Sequence, residues 1–247
     1  MRLNSVPKVS IITITYNAGE FLEKTIQSVI SQNYQNIEYI IIDGLSTDNT
    51  MEIVEKYSDH IDIIISEKDK GIYDAMNKAL ANATGEWVNF LNANDTFYAE
   101  DTLSNIFNTL SSDKKLLYGD WINVRNNGFR RHINSMPELN MSTLKSKFQM
   151  NHQSLFVKNE QLPFYDLTYK IKADYQWVID IVKNLKGNEV KYINRPLVNY
   201  DVDGVSGQQL INNVKEYIYL TNRNFGSLQV AKNSFIYMKI LRYLFIK

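Results

Sequence analysis

The 247-residue sequence predicts an α/β fold: a doubly wound, mostly parallel sheet flanked by helices, with a C-terminal helical extension. Short apolar runs alternate with segments whose apolar residues recur at helical spacing, as expected for parallel strands joined by helical crossovers. The runs are almost continuously apolar, which indicates strands buried on both faces. Each run ends in a polar loop, and α/β sheets bind ligands at the carboxyl ends of their strands.

Four strand units fill the first half of the chain. Strands are predicted at residues 9–15, 37–42, 61–65 and 85–91, and helices at 20–32, 51–57 and 72–80. In the third helix, Ile72, Ala75 and Met76 fall on one face, which predicts that this face is buried. Short loops connect these elements, so the first half predicts repeated strand-helix units.

The second half predicts more strands and three further helices. Asn127-Gly128 is a strong turn signal after the strand at residues 116–124, and predicts a hairpin. The other predicted strands are 154–157 and 192–200, and the predicted helices are 172–182, 208–222 and 228–246.

Composition excludes several classes of protein. Lysine plus arginine and aspartate plus glutamate both total 27, so no net charge favours nucleic acid as a partner. The chain has no cysteine, which excludes disulfides and thiolate chemistry. No apolar run is long enough for a secretory signal or a membrane span, and we therefore expect a cytoplasmic protein.

The stretch GEWVNFLNANDTFY, from Gly85 to Tyr98, ends its apolar run with three oxygen-bearing side chains, those of Asn92, Asn94 and Asp95. Carboxylate and carbonyl oxygens are the ligands that Mg²⁺ and Mn²⁺ prefer, so this cluster is a candidate diphosphate clamp. Asn and Asp also favour turns because they bond their own backbone. An ordinary turn therefore remains open as an alternative.

Three other polar loops follow strands of the same predicted sheet, namely 15–17, 43–46 and 69–71. Together with residues 92–95 they lie at one edge, which favours a nucleotide as the ligand. No GxGxxG or GxxxxGK[ST] motif occurs at a strand-to-helix turn, so a dinucleotide site or P-loop is not expected. A divalent ion bridging two phosphates would hold the diphosphate instead.

These motifs, VSIITITYN, EKDKGIYDAMNKAL, TGEWVNFLNAND, NHQSLF and KADYQW, resemble family-2 inverting glycosyltransferases of the GT-A fold, including bacterial surface-polysaccharide and O-antigen enzymes. The resemblance covers residues 8–205. It implies that Tyr16 lies against the base, that Asp43 accepts from the base imide, and that the nucleotide site comprises Thr15, Tyr16, Asn17, Asp43, Ser46, Asp69, Lys70 and Gly71. The NAND sequence departs from the family's acidic triplet by lacking two carboxylates.

By the same resemblance, Asp174 is the general base that takes the proton of the acceptor hydroxyl. Asp95 and Asn94 are expected to ligate Mn²⁺ or Mg²⁺, while Asn92 and Asn94 contact the donor sugar. His152 and Gln153 are candidate acceptor contacts. From the residues alone, a helix-capping role for Asp174 and a structural role for His152 remain open.

Three segments are expected: a nucleotide-sugar half at residues 1–110, an acceptor half of the same domain at 111–206, and an amphipathic helical extension at 207–247. The extension interleaves apolar and basic residues, which suits a membrane interface or packing against protein equally well. A Gly-rich loop at residues 200–208 is either a ligand-closing loop or a surface turn.

The leading hypothesis is a metal-dependent, inverting hexosyltransferase. It would use a nucleotide sugar, UDP-linked by expectation, and a glycan or polyprenyl-diphosphate acceptor in lipopolysaccharide or related synthesis, at the inner face of the cell membrane. A homo-oligomer is allowed. One rival hypothesis is a noncatalytic nucleotide-sugar-binding or scaffolding subunit, which the missing carboxylates favour. The other is a nucleotidyltransferase, which would need an N-terminal Gly-rich loop that the segment TYNAGEF does not provide.

Overall fold

The computed structural model describes residues 6–108, 110–146, 149–202, 210–235 and 237–238. Within them, a nine-stranded sheet has the order β3-β2-β1-β4-β8-β6-β9-β5, with β7 paired to β6. Its strands are β1 Val9–Thr15, β2 Ile37–Asp43, β3 Ile63–Ser66, β4 Trp87–Phe90, β5 Thr96–Phe97, β6 Leu116–Val124, β7 Arg130–Ile133, β8 Leu155–Lys158 and β9 Val190–Asp201. The helices are α1 Gly19–Ile30, α2 Thr50–Lys56, α3 Ile72–Asn82, α4 Thr102–Phe107, α5 Met141–Ser146, α6 Ala173–Val182, α7 Leu210–Phe225 and α8 Ser227–Lys232.

The first four strands are parallel, as predicted. β1 pairs with both β2 and β4, and β2 pairs with β3. The register places Thr15 beside Asp43, and Asp43 beside Ser66. Their carboxyl ends therefore lie side by side, which brings the polar loops to one edge of the sheet.

The second half of the chain adds antiparallel pairs to this parallel core. β8 runs antiparallel to both β4 and β6, whereas β6 and β9 are parallel. The predicted hairpin joins β6 to β7, and Gly128 adopts a positive φ of 82° in its turn. One sheet thus contains strands from both predicted halves, while the proposed boundaries at residues 110 and 206 stay a prediction.

Helices cover both faces of the sheet, which explains why the strands are apolar on both sides. Along β1, Val9 and Ile11 join one buried cluster, and Ile12 and Ile14 join the other. The first cluster includes residues of α1 and α4, and the second includes residues of α3, α6 and α7. The α/β fold class predicted from the sequence is confirmed.

Several details differ from the sequence-based expectation. The helices α4 and α5 were not predicted, because six residues each are too few to show a clear helical period. β5 was not predicted, because its two residues acquire strand geometry only by pairing with β9. Ile72 was expected on a buried face but is 45% exposed, because it is the first residue of α3 and lies beyond its packed turns. The Gly-rich loop at residues 200–208 and the end of the C-terminal extension lie largely outside the described residues.

Candidate functional site

Asp43 closes β2 and is fully buried. Its Oδ2 accepts hydrogen bonds from the Ser46 N–H at 2.9 Å and from the Ser66 hydroxyl at 2.7 Å, and the Ser46 hydroxyl donates to Oδ1. The carboxylate therefore fixes the loop after β2 against the end of β3. Each oxygen has two lone pairs, so Oδ1 keeps acceptor capacity for a ligand N–H.

The loops after β1 and β2 are bonded to each other. The Asn17 N–H donates to the Ser46 hydroxyl at 2.8 Å, and Asn17 Oδ1 accepts from the Thr47 N–H at 2.8 Å. Asn17 adopts a positive φ of 48°, a conformation that Asn tolerates better than most residues. The two loops thus form one rigid rim at the edge of the sheet.

Tyr16, Gly44 and Asp69, which we call the slot, lie against one another beside this rim. A Cβ atom added to Gly44 would lie 2.6 Å from Asp69 Oδ2 and 3.2 Å from Tyr16 Cδ2, so only glycine leaves these side chains in place. Tyr16 is 63% exposed, which leaves its ring available for stacking. Asp69 Oδ1 accepts from the Gly71 N–H at 2.8 Å, and Gly71 adopts a φ of 119°. The exposed Lys70 lies between them in this turn.

Residues 92–95 form a turn at the end of β4, next to the end of β1. The Asp95 N–H donates to the Asn92 carbonyl at 3.1 Å, and Asn94 adopts a positive φ of 83°. The Oδ1 atoms of Asn92 and Asn94, and Thr15 Oγ1, are buried without a hydrogen-bond partner. Buried polar atoms are normally paired, so these acceptors indicate a place for a ligand.

Asp95 is only 5% exposed and ties three segments together. The Gln153 amide donates to its Oδ2, and the Asp201 N–H donates to Oδ1 at 2.6 Å. Gln153 Oε1 accepts in turn from the Asn92 N–H at 2.8 Å. Burial raises the pKa of Asp95 to about 7, although both of these hydrogen bonds favour the charged form.

A divalent ion at this cluster would need oxygen ligands from phosphate or water in addition to those from the protein. Within the described part of the chain, no group of three or more His, Cys, Asp and Glu side chains is arranged to hold an ion. The cluster offers one carboxylate, on Asp95, and the unpaired amide oxygens of Asn92 and Asn94. Mg²⁺-type ions accept such sets, because they take their remaining ligands from phosphate and water.

Asp174 lies in the first turn of α6, as the sequence predicted. Its Oδ1 accepts the Tyr175 N–H at 2.8 Å, and its Oδ2 lies 3.7 Å from His152 Nδ1. A cluster of aromatic rings packs beneath this turn, where Tyr165 stacks on Trp177 with ring centroids 5.0 Å apart. The carboxylate is therefore held at the rim of a rigid wall, with 18% of its side chain exposed.

His152 and Gln153, expected as acceptor contacts, lie in the 3-10 turn that precedes β8. Gln153 is 1% exposed, and both ends of its amide are bonded within the protein. Its side-chain amide therefore braces the turn at residues 92–95. His152 lies beside Asp174, with its Nδ1 3.7 Å from Asp174 Oδ2.

Several residues of the site were not singled out from the sequence. Thr25 of α1 accepts from the Asn94 N–H at 3.1 Å and donates to the Asp95 carbonyl at 2.8 Å. Ser66 reaches Asp43, and Asp201 contributes a backbone N–H. No sequence motif announces these contacts, although Ser66 stands at the end of a predicted strand, as the other loop residues do.

The family model for glycosyl transferase family 2 matches residues 10–170 of this chain. A domain built on this fold, with polar loops gathered at the carboxyl edge of its sheet, agrees with that match. The chain belongs to glycosyl transferase family 2, and the family expected from the sequence is confirmed.

Curated relatives cover much of the chain. A PGL/p-HBAD biosynthesis glycosyltransferase of Mycobacterium bovis is 28% identical over 222 residues, which is 87% of this chain and 84% of the relative. A putative teichuronic acid biosynthesis glycosyltransferase, TuaG of Bacillus subtilis, is 40% identical over 95 residues, or 37% of this chain and 38% of the relative.

Solved structures share the GT-A fold. TarS 1–349 of S. aureus in complex with UDP superposes with a TM-score of 0.70 and 20% identity, over 95% of this chain and 70% of that one. The mannosyltransferase PcManGT of Pyrobaculum calidifontis, in complex with GDP-Man and Mn²⁺, gives 0.63 and 19%, over 87% and 63%.

Proposed function

We propose that this protein is an inverting hexosyltransferase. It moves a hexose from a UDP-linked sugar to a glycan or polyprenyl-diphosphate-linked acceptor in bacterial polysaccharide biosynthesis. The observation that carries the proposal is that hydrogen-bond acceptors able to contact a ligand are grouped at one edge of the sheet. The slot formed by Tyr16, Gly44 and Asp69 lies at one end of this edge, and adjacent residues His152 and Gln153 connect Asp174 to the donor-side turn.

The nucleoside occupies the slot in this proposal. The exposed ring of Tyr16 stacks on the base, and Asp43 Oδ1 accepts its imide N–H. Thr15, Asn17, Ser46, Asp69, Lys70 and Gly71 line or shape the same pocket. The UDP complex of the structurally similar TarS supports a uridine nucleotide as the first donor to test.

The diphosphate and the sugar lie over residues 92–95. The Oδ1 atoms of Asn92 and Asn94 accept hydrogen bonds from hydroxyl groups of the ribose or the hexose. These bonds pair two acceptors that are otherwise buried without partners. Asp95 and Asn94 would hold Mn²⁺ or Mg²⁺. When bound, the ion offsets the negative charge that builds on the leaving diphosphate.

Asp174 accepts the proton of the acceptor hydroxyl as that oxygen attacks the anomeric carbon. A general base of this kind contributes roughly 10²- to 10⁴-fold to the rate. Attack from the face opposite the nucleotide inverts the anomeric configuration. The N–H of Tyr175 holds one carboxylate oxygen at 2.8 Å, which restricts rotation of the base and keeps it directed at the rim.

Exposed apolar side chains in and after α8 support a membrane-bound acceptor. Gln229, Asn233 and Tyr237 are buried, whereas Leu228, Phe235 and Met238 are exposed by 70%, 68% and 55%. The Asn233 N–H donates to the Gln229 carbonyl and the Tyr237 N–H donates to the Asn233 carbonyl, so the spacing of the exposed apolar residues puts them on one face.

The exposed apolar face suits an anionic lipid surface. Lys232 is exposed beside the apolar face, and the sequence continues with Lys239, Arg242 and Lys247. None of the helices described is long and apolar enough to cross a bilayer. We propose that the enzyme binds peripherally at the inner face of the cell membrane, and the exposed apolar face supports this proposal.

Nucleotide release from separate UDP-, GDP- and dTDP-sugars tests the proposal. The assays contain Mn²⁺, Mg²⁺ or a chelator, with native protein and Asp95→Ala. We expect release from a UDP-hexose that disappears with the chelator and with Asp95→Ala. Circular dichroism of the variant controls for loss of fold, because Asp95 also joins three segments. Tight UDP-sugar binding without release, even with a polyprenyl-diphosphate sugar, would instead favour a noncatalytic binding subunit.

A further inference from the structure

His152 is a partly buried side chain whose Nε2 atom is itself buried. Its side chain is 16% exposed, and Nε2 has no hydrogen-bond partner. Its other ring nitrogen, Nδ1, lies 3.7 Å from Asp174 Oδ2. That separation is slightly too long for a hydrogen bond, and such contacts at active sites often shorten when substrate binds.

The surroundings of His152 favour a neutral imidazole. Burial lowers its pKa, and the positive charge of Lys172 acts in the same direction, while Asp174 opposes both. A neutral imidazole carries one N–H, on either nitrogen. Placing that N–H on Nδ1 directs it at a carboxylate, whereas placing it on Nε2 would bury a donor without a partner. The tautomer with a protonated Nδ1 is therefore favoured.

Gln153, the next residue in the sequence, makes a corresponding contact with the turn at residues 92–95. Gln153 bonds to Asp95 and to the Asn92 N–H, so it belongs to the donor-side turn. Both residues lie in one short 3-10 turn, whose Asn151 cap accepts the Gln153 N–H at 3.0 Å. A single rigid turn thus links the proposed general base to the segment that holds the donor.

We propose that His152 is a positioning residue for Asp174, with its Nδ1–H donating to Oδ2 when substrates are bound. The Tyr175 N–H already holds Oδ1, so the two donors together fix the plane of the carboxylate. Each oxygen keeps a lone pair for the acceptor hydroxyl. This inference rests on the proposed role of Asp174 as the base.

Side-chain replacements at His152 separate its two nitrogens. In His152→Asn the amide nitrogen takes roughly the place of Nδ1, whereas in His152→Gln it takes roughly the place of Nε2. We expect His152→Ala to lower kcat by about 10- to 100-fold, the cost of a misaligned catalytic group. His152→Asn should recover most of that loss, and His152→Gln should not.

The assay is release of UDP from the UDP-hexose that the native enzyme turns over, with a polyprenyl-diphosphate sugar as acceptor. KM for the donor and calorimetric affinity for UDP should stay within about twofold, since His152 contacts neither in the proposal. The exposed His60 lies in another 3-10 turn, so His60→Ala is the matched control. Full activity in His152→Ala, or better recovery with Gln than with Asn, would overturn the proposal.

A double variant distinguishes failure of this inference from failure of the proposed function. If His152 acts through Asp174, adding His152→Ala to Asp174→Asn should lower kcat no further. Losses that multiply would mean that His152 acts independently. If the native protein transfers no sugar, or Asp174→Asn keeps full activity, the proposed function itself fails. Should His152→Ala not fold, the comparison of the Asn and Gln variants still decides.

Discussion

The two carboxylates at the proposed reaction centre lie in different surroundings. Asp95 is almost fully buried and accepts bonds from two segments, whereas Asp174 stands at a rim with part of its side chain exposed. A buried carboxylate that braces three loops is suited to hold the donor in place. An exposed one, fixed at one oxygen, is suited to meet a second substrate.

Gly44 offers a direct test of the nucleoside slot. A Cβ at this position would displace Asp69 and Tyr16, both of which have room to move at the surface. We expect Gly44→Ala to raise the dissociation constant for UDP by about tenfold, the equivalent of 1.4 kcal/mol. Calorimetric titration with UDP provides the measurement.

The matched control is Gly187→Ala, because a Cβ added there meets nothing within 4 Å. Unchanged UDP affinity in Gly44→Ala would mean that the base binds elsewhere. Unfolding of Gly44→Ala, seen as loss of the thermal transition, is not expected, because only side-chain atoms lie close to the added carbon.

At the scale of elements, Glu38 of β2 joins the amino ends of neighbouring parallel strands through hydrogen bonds of its side chain. Its carboxylate accepts from Lys8 at 2.6 Å, from Ser10 of β1 at 2.5 Å and from the Thr84 N–H at 2.8 Å. Burial alone would raise its pKa, but these hydrogen bonds outweigh that effect and lower the pKa to about 2. The group therefore joins β1, β2 and the segment before β4.

This depressed pKa predicts a pH dependence of stability. Glu38 stabilises the fold fully above its ordinary pKa of 4.5, and loses that contribution as the pH falls towards 2. At pH 7 we expect Glu38→Gln to reduce the free energy of unfolding by about 2 kcal/mol. Urea denaturation at pH 7 and pH 3 should show the difference from native protein shrinking at the lower pH.

Glu52→Gln on the exposed side of α2 is the control, and we expect a change below about 0.5 kcal/mol. An equal effect of Glu38→Gln at both pH values would contradict the account of this interaction.

The elements that the sequence predicted well are those with a strong local pattern. Continuous β-branched runs identified β1 and β2, and Asn127-Gly128 identified the hairpin of β6 and β7. β5 has only two residues, so its existence depends on β9, about 100 residues further along the chain. The loop positions of the site followed from the strand ends, whereas the bond from Asp201 to Asp95 depends on tertiary packing alone.

Over the whole molecule, the exposed apolar face near α8 predicts peripheral membrane binding. We expect Phe235→Glu to weaken cosedimentation with vesicles containing phosphatidylglycerol, because it places a negative charge at the proposed contact. Phe129→Glu changes another exposed phenylalanine, on the turn between β6 and β7, and should leave cosedimentation unchanged. Equal binding of native protein and Phe235→Glu would show that this face packs against protein instead.

The anomeric configuration of the transferred sugar tests the central claim most directly. We would incubate the protein with an α-linked UDP-hexose and a polyprenyl-diphosphate sugar, and determine the new linkage by proton NMR, with Asp174→Asn in parallel. The account predicts a β-linked product from the native enzyme and a rate at least about 100-fold lower in Asp174→Asn. An α-linked product, or full activity of Asp174→Asn, would contradict inversion with Asp174 as the base.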